Sequence, residues 1–207
     1  MDKTPENGAP TVDDVRLYEA HMERIKLRIE EARGLLYKKP SDERDLLYAV
    51  LQLRIAIEET ACASLIANRA SFEDAEKAFR LKRFEDVQKA LKSLNPSYWP
   101  EAVKETAPES KTGAVASFNP VEDALTDADW LKIWGKLSSM LHMQNPWLPK
   151  HDIKRNHQFA RTVVNKLVTT LNSHVTKLVG GKYFVMAQVW ASPVRAYSFG
   201  LVPNSDT

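Results

Sequence analysis

Between Val12 and Tyr37 the apolar positions Val15, Tyr18, Met22, Ile25, Ile29, Ala32 and Leu36 recur every three or four residues. That spacing predicts a long amphipathic helix with one apolar stripe. Lys39-Pro40 ends it, and Ser41 as a cap with Asp42 and Glu43 in the first turn opens a second helix that runs to about Asn68. From Leu46 to Glu59 this second helix is apolar nearly all the way round, the pattern of an element packed on several sides. Arg54 and Glu58 stand four apart on it, share a face and form a predicted structural pair.

Further helical pieces are predicted at about Ser71 to Phe79 and Arg83 to Leu94, before two prolines and two aromatics in Asn95-Pro96-Ser97-Tyr98-Trp99-Pro100 break the pattern. Residues 101 to 122 lack periodicity and read as a loop. Thr126 caps a helix bearing Trp130, Ile133, Trp134, Leu137, Met140 and Leu141, which Asn145-Pro146 ends. A last helix is predicted from Asp152 to about Val179, with Gly180-Gly181 as its C-terminal stop. Tyr183 to Trp190 and Val194 to Val202, rich in aromatic and β-branched residues, read as a hairpin that must pack on helices or on a partner. The expected fold is mainly α: a bundle of about five to six helices with a C-terminal β-hairpin at about 182–202, in one domain over 13–207 behind a disordered tail at 1–12.

Composition narrows the class. At 207 residues, with 43% hydrophobic and 27% charged residues, the chain suits one globular domain rather than a rod or a disordered polymer. Cys62 is the sole cysteine, so an intrachain disulfide is impossible and a reducing, cytoplasmic setting is expected. No His lies near Cys62 in sequence, and it reads as a small packing residue. The acidic N-terminus with Pro5, Gly8 and Pro10 is unlike a secretion signal, and no apolar run reaches the roughly 18 residues of a spanning helix, so no membrane association is expected.

The net charge of +2 hides an asymmetry: residues 150–207 hold 8 of the 29 Lys and Arg but 2 of the 27 Asp and Glu. A basic end on an otherwise acidic chain points to a polyanion such as RNA, or an acidic partner surface, as its ligand, or to attraction between the two ends. Lys150, Lys154, Arg155 and Arg161, with His157, Trp147 and Phe159 nearby, form the candidate nucleic-acid-binding segment. No phosphate-binding glycine loop, nucleophile elbow, zinc-protease helix or dinucleotide fingerprint is present. His142, His151, His157 and His174 never stand four apart on one helix, and neither metal nor cofactor is expected.

Two short motifs carry a family resemblance. Leu53-Arg54-Ile55-Ala56-Ile57-Glu58 resembles a helix of HEPN-like domains, and Trp134-Gly135-Lys136-Leu137-Ser138-Ser139-Met140-Leu141-His142 resembles their later helix, which ends in a His. The resemblance covers about residues 41–145. It implies a metal-independent endoribonuclease, a homodimer, and a role in bacterial stress or phage defence. It also implies a catalytic site at His142 and Lys136, where a cation holds the scissile phosphate while imidazole moves protons for attack by the 2′-hydroxyl. Lys136 stands where the family has Arg, and a lysine offers a point charge rather than a bidentate fork. The alternative is a non-catalytic interaction or scaffold subunit of a larger complex, using the aromatic segment Tyr98-Trp99-Pro100 or the hairpin as its contact surface. A literal Arg16 to His21 match to the family's Arg and His spacing reads as chance on a solvated face, since five residues of helix turn the two side chains about 140° apart.

Overall fold

The computed structural model describes residues 9–39, 41–68, 84–107, 116–142 and 152–201. Thr11 and Asp14 form a reciprocal capping box at the start of α1 (Val12–Tyr37), and Asp42 and Asp45 form another at the start of α2 (Glu43–Ala67). Each box satisfies N–H groups that a helix start leaves open. These two long helices pack side by side, joined by buried Tyr18, Met22, Ile25 and Ile29 from α1 and Leu46, Val50, Leu53 and Ile57 from α2. A shorter helix, α3 (Phe84–Leu94), follows; the helix expected at Ser71 to Phe79 lies outside the described residues.

The expectation of a helical bundle with a lone hairpin is overturned, because the fold is α+β. Among the described residues five strands form one antiparallel sheet: β1 (Glu101–Thr106), β2 (Ser117–Pro120), β3 (Ser173–Lys177), β4 (Tyr183–Gln188) and β5 (Arg195–Gly200), in the order β2-β1-β3-β4-β5. Two of these strands occupy the stretch expected to be a loop. Only Ala102 and Val103 of β1 are buried, between charged Glu101, Lys104 and Glu105, so no alternating apolar signal marks it. β3 occupies the stretch expected to end the last helix. The two hairpin strands are as expected, but they are the edge of a sheet rather than a free unit.

Two more helices are seen among the described residues, α4 (Asp127–Leu141) and α5 (Ile153–Asn172), and α5 passes directly into β3. Gly180 and Gly181, at φ +86° and +68°, turn the chain between β3 and β4 instead of closing a helix. One sheet face, with Val185, Ala187 and Ala196, joins the helical core. The other carries its own small cluster of Val103, Val175, Phe184 and Met186, against which Phe118 and Phe199 pack. The rings of Phe118, Phe184 and Phe199 lie with centroids 5.4 to 5.5 Å apart.

Tyr98 and Trp99 are buried, and Trp99 meets Trp130 edge-on at 4.0 Å between centroids, so this aromatic segment belongs to the core and not to a contact surface. Among the described residues no helix is long and apolar enough to cross a membrane.

Candidate functional site

α4 and α5 each pack against α2 and approach one another along a narrow seam, marked by Lys136 over Phe159 and by the charge of Lys166 near Asp129, an order that makes the two helices antiparallel. The Lys136 ammonium sits 3.7 Å from the centre of the Phe159 ring, a close cation–π contact that fixes the middle of the seam. Toward its far end, hydrogen bonds from Thr126, then the neighbouring charges of Lys166 and Lys132, hold the Asp129 carboxyl below its usual range. Arg155, Phe159 and Lys166 fall within about 40° of one another around α5, so both cations flank the ring that Lys136 covers. From Arg155 to Lys166 the seam runs about 16 Å.

Lys136, Arg155 and Lys166 are exposed. Among the described residues none of the three forms an ion pair. α5 contains no Asp or Glu at all. Asp129 is the acid at the seam, and its carboxylate is occupied by the Thr126 hydroxyl and N–H. The arrangement is a strip of cations able to meet successive phosphates of a polyanion.

The expected nucleic-acid-binding residues divide. Arg155 is on the seam. Lys154 is exposed but one position round the helix. Arg161 is turned inward, where its Nε and Nη2 donate to the Leu36 carbonyl at 3.1 and 2.6 Å and its guanidinium covers the Tyr37 ring at 4.8 Å. It closes the open C-terminal end of α1 instead of facing a ligand. Lys150, together with Trp147 and His151, lies outside the described residues. Lys132 and Lys166 do not stand out as site residues in the sequence, because only the pairing of α4 with α5 collects them.

His142 is exposed and takes the C-cap position of α4 with extended backbone, φ −80° and ψ 153°. Six residues of helix separate it from Lys136, which turns the two side chains about 120° apart. One chain therefore does not bring this pair together on a phosphate. Arg54 and Glu58 do pair, at 3.0 Å, and the Trp134 indole N–H donates to the same Glu58 oxygen at 2.8 Å while the Arg54 guanidinium lies 5.1 Å from the Trp134 ring centre. Glu58 thus ties α2 to α4.

His21 departs from its expected solvated position. It is buried, its Nε2–H donates to the Glu59 carbonyl at 2.8 Å, and Nδ1 is left to accept from Arg24 at 3.3 Å. Arg28 grips the Glu59 carboxylate with two nitrogens at 2.8 and 3.2 Å, so this cluster is an ion-paired joint between α1 and α2. Burial pushes the Cys62 thiol up to about 11, with Glu58 and Glu59 adding to the effect, which removes its nucleophilic form at neutral pH. Among the described residues no group of three or more His, Cys, Asp or Glu is placed to hold a metal ion.

No family model, curated protein or solved structure matches this chain.

Proposed function

We propose that this protein is an RNA-binding protein of HEPN-like kind that holds RNA along the cationic seam between α4 and α5. The observation that carries the reading is the set of Lys136, Arg155 and Lys166, exposed on one seam and in no ion pair among the described residues, with Asp129 the one nearby carboxylate whose charge Lys166 feels. Phosphates meeting these groups release condensed counterions, which is the main drive for binding a nucleic-acid backbone. The resemblance adds support, since its two short motifs meet where Glu58 accepts from Arg54 and Trp134. The sheet is an addition for which that resemblance does not account.

Binding is favoured over cleavage. Lys136 diverges from His142 around α4, so one chain lacks a converged acid–base and phosphate-holding pair. A cytoplasmic setting suits the lone thiol, and a stress or defence role is what the resemblance implies.

The test is retention of mixed RNA by purified protein in EDTA, with fragment lengths read from the same samples. Retained, intact RNA is the expected result. Absence of retention contradicts the reading, as does equal retention of polyphosphate, which would leave only a general polyanion site. Fragments that disappear with His142→Ala would replace binding by metal-independent cleavage.

A further inference from the structure

The two edges of the sheet differ. The Leu201 N–H donates to the Lys182 carbonyl at 2.8 Å, and the register between β4 and β5 then makes Arg195, Tyr197 and Phe199 the residues whose backbone groups face β4. The N–H and C=O groups of Ala196, Ser198 and Gly200 therefore point away from the sheet. Glu19 of α1 accepts from the Ala196 N–H at 2.8 Å, while Ser198 and Gly200 are exposed and, among the described residues, nothing pairs with their backbone groups. β2, at the opposite edge, is four residues long and ends in Pro120, which has no N–H to offer. Past Arg195, β5 has no charge, proline or bulge of the kind that keeps another strand away.

The side chains along this edge form an apolar row with basic ends. Tyr197 and Leu201 are 44% and 57% exposed with half-buried Phe199 between them, and strand alternation puts all three on the sheet face turned from the helices. Arg195 continues the row at one end, and Lys182, opposite Leu201, closes the other. Both are exposed, and neither forms an ion pair among the described residues. The Glu19 carboxylate is taken by the Ala196 N–H, and from Ile153 to Leu201 the chain has no Asp or Glu.

This edge does not suit a second copy of itself. Antiparallel pairing about Ser198 sets Arg195 of one copy beside Leu201 and Lys182 of the other, which places like charges together at both ends. An extended peptide that carries apolar residues in the middle of one row and a carboxylate at each end of it meets the aromatic row, the two cations and the open backbone groups at once. We infer that the outer edge of β5 binds an acidic, extended segment of a partner protein, which joins the sheet as a further strand. The edge and the cationic seam use different residues, so the inference does not depend on the RNA reading.

The probe is a fluorescent heptapeptide, Glu-Thr-Val-Thr-Val-Thr-Glu, titrated against the full chain and followed by anisotropy. Saturable binding is expected, at least about tenfold weaker when both Glu are replaced by Lys, and lost when the peptide's backbone nitrogens are methylated. Ser198→Pro removes one outward N–H from an edge position and should abolish binding with circular dichroism unchanged, and Tyr197→Asp should weaken it. Absence of saturable binding overturns the inference, as does equal binding of the Lys peptide or unaltered binding by both folded variants. A doubled mass that Ser198→Pro abolishes would assign the edge to a second copy, and displacement of the bound peptide by RNA would assign it to RNA; either result overturns the inference too.

Discussion

The Tyr18 hydroxyl lies 2.9 Å from His174 Nε2, and both side chains are wholly buried. His174 Nδ1 faces the Leu171 carbonyl at 3.2 Å, which can only accept, so Nδ1 carries the proton and Nε2 is the acceptor. Tyr18 therefore donates to His174, and its oxygen accepts from the Thr176 hydroxyl at 2.8 Å. This directed chain fastens the sheet's central strand to α1. Tyr18→Phe leaves His174 Nε2 unpaired in the core and takes away the acceptor of the Thr176 hydroxyl, a cost of about 2 to 3 kcal/mol. Urea unfolding of the variant checks this; an unchanged midpoint would contradict it.

The same histidine makes stability depend on pH. Burial lowers its pKa from 6.5 to about 4, outweighing the hydrogen bond to Leu171. The folded state thus keeps His174 neutral where the unfolded chain would take a proton. Its contribution is whole above pH 6.5 and is lost as pH falls toward 4, amounting to about 3 kcal/mol. His21 and His157, also lowered chiefly by burial, give slopes of the same sign, so the decisive quantity is a difference. His174→Gln should show a shallower loss of stability between pH 6.5 and 4 than wild type. Parallel curves for the two would refute this assignment.

That chain of polar groups also explains what the sequence hid. β3 presents His174 and Thr176 inward and Val175 to the other face, the reverse of the usual apolar-in pattern. Val175 on the strand and Leu178 just after it continue the stripe that ends at Leu171 of α5 at helical spacing, so the strand reads as more helix. α1 and α4 were legible because their apolar stripes agree with their packing, and α2 because its near-continuous apolar run matches burial on several sides, although its cap is Asp42 rather than the expected Ser41, whose hydroxyl donates to the Leu35 carbonyl. The candidate site was only half legible. Arg155 and Lys136 stand out in sequence, but the partners that complete the seam, and the inward turn of Arg161, depend on which helices meet.

Arg161 and Arg155 should separate structure from binding. Arg161→Ala removes both hydrogen bonds to the Leu36 carbonyl and the cover over Tyr37, and should cost about 1 to 2 kcal/mol while leaving RNA affinity intact. Arg155→Ala, at an exposed position, should leave stability within about 0.5 kcal/mol of wild type and weaken RNA binding. Thermal melts and binding titrations on the same two preparations decide it, and the reverse assignment of effects would contradict the geometry.

Glu58 joins α2 to α4 through a single oxygen that accepts from Arg54 and Trp134. With roughly a third of both charged side chains in solvent, the ion pair itself adds little. The indole hydrogen bond to a charged acceptor matters more, and Trp134→Phe should cost about 1 to 2 kcal/mol. In a Glu58→Ala background the same substitution should cost measurably less. Equal costs in the two backgrounds, by urea titration, would show that this hydrogen bond contributes nothing.

The most direct test of the seam is fluorescence anisotropy of labelled single-stranded RNA over a range of salt concentrations, for wild type and the double variant Arg155→Glu, Lys166→Glu. Both positions are exposed, so the variant should fold as wild type does. If the seam holds the RNA, affinity falls at every salt concentration, and the slope of log affinity against log salt becomes shallower by about 0.7 for each phosphate that the variant no longer neutralises. Identical affinity and slope for the two proteins would place RNA elsewhere on the molecule and contradict binding along the seam.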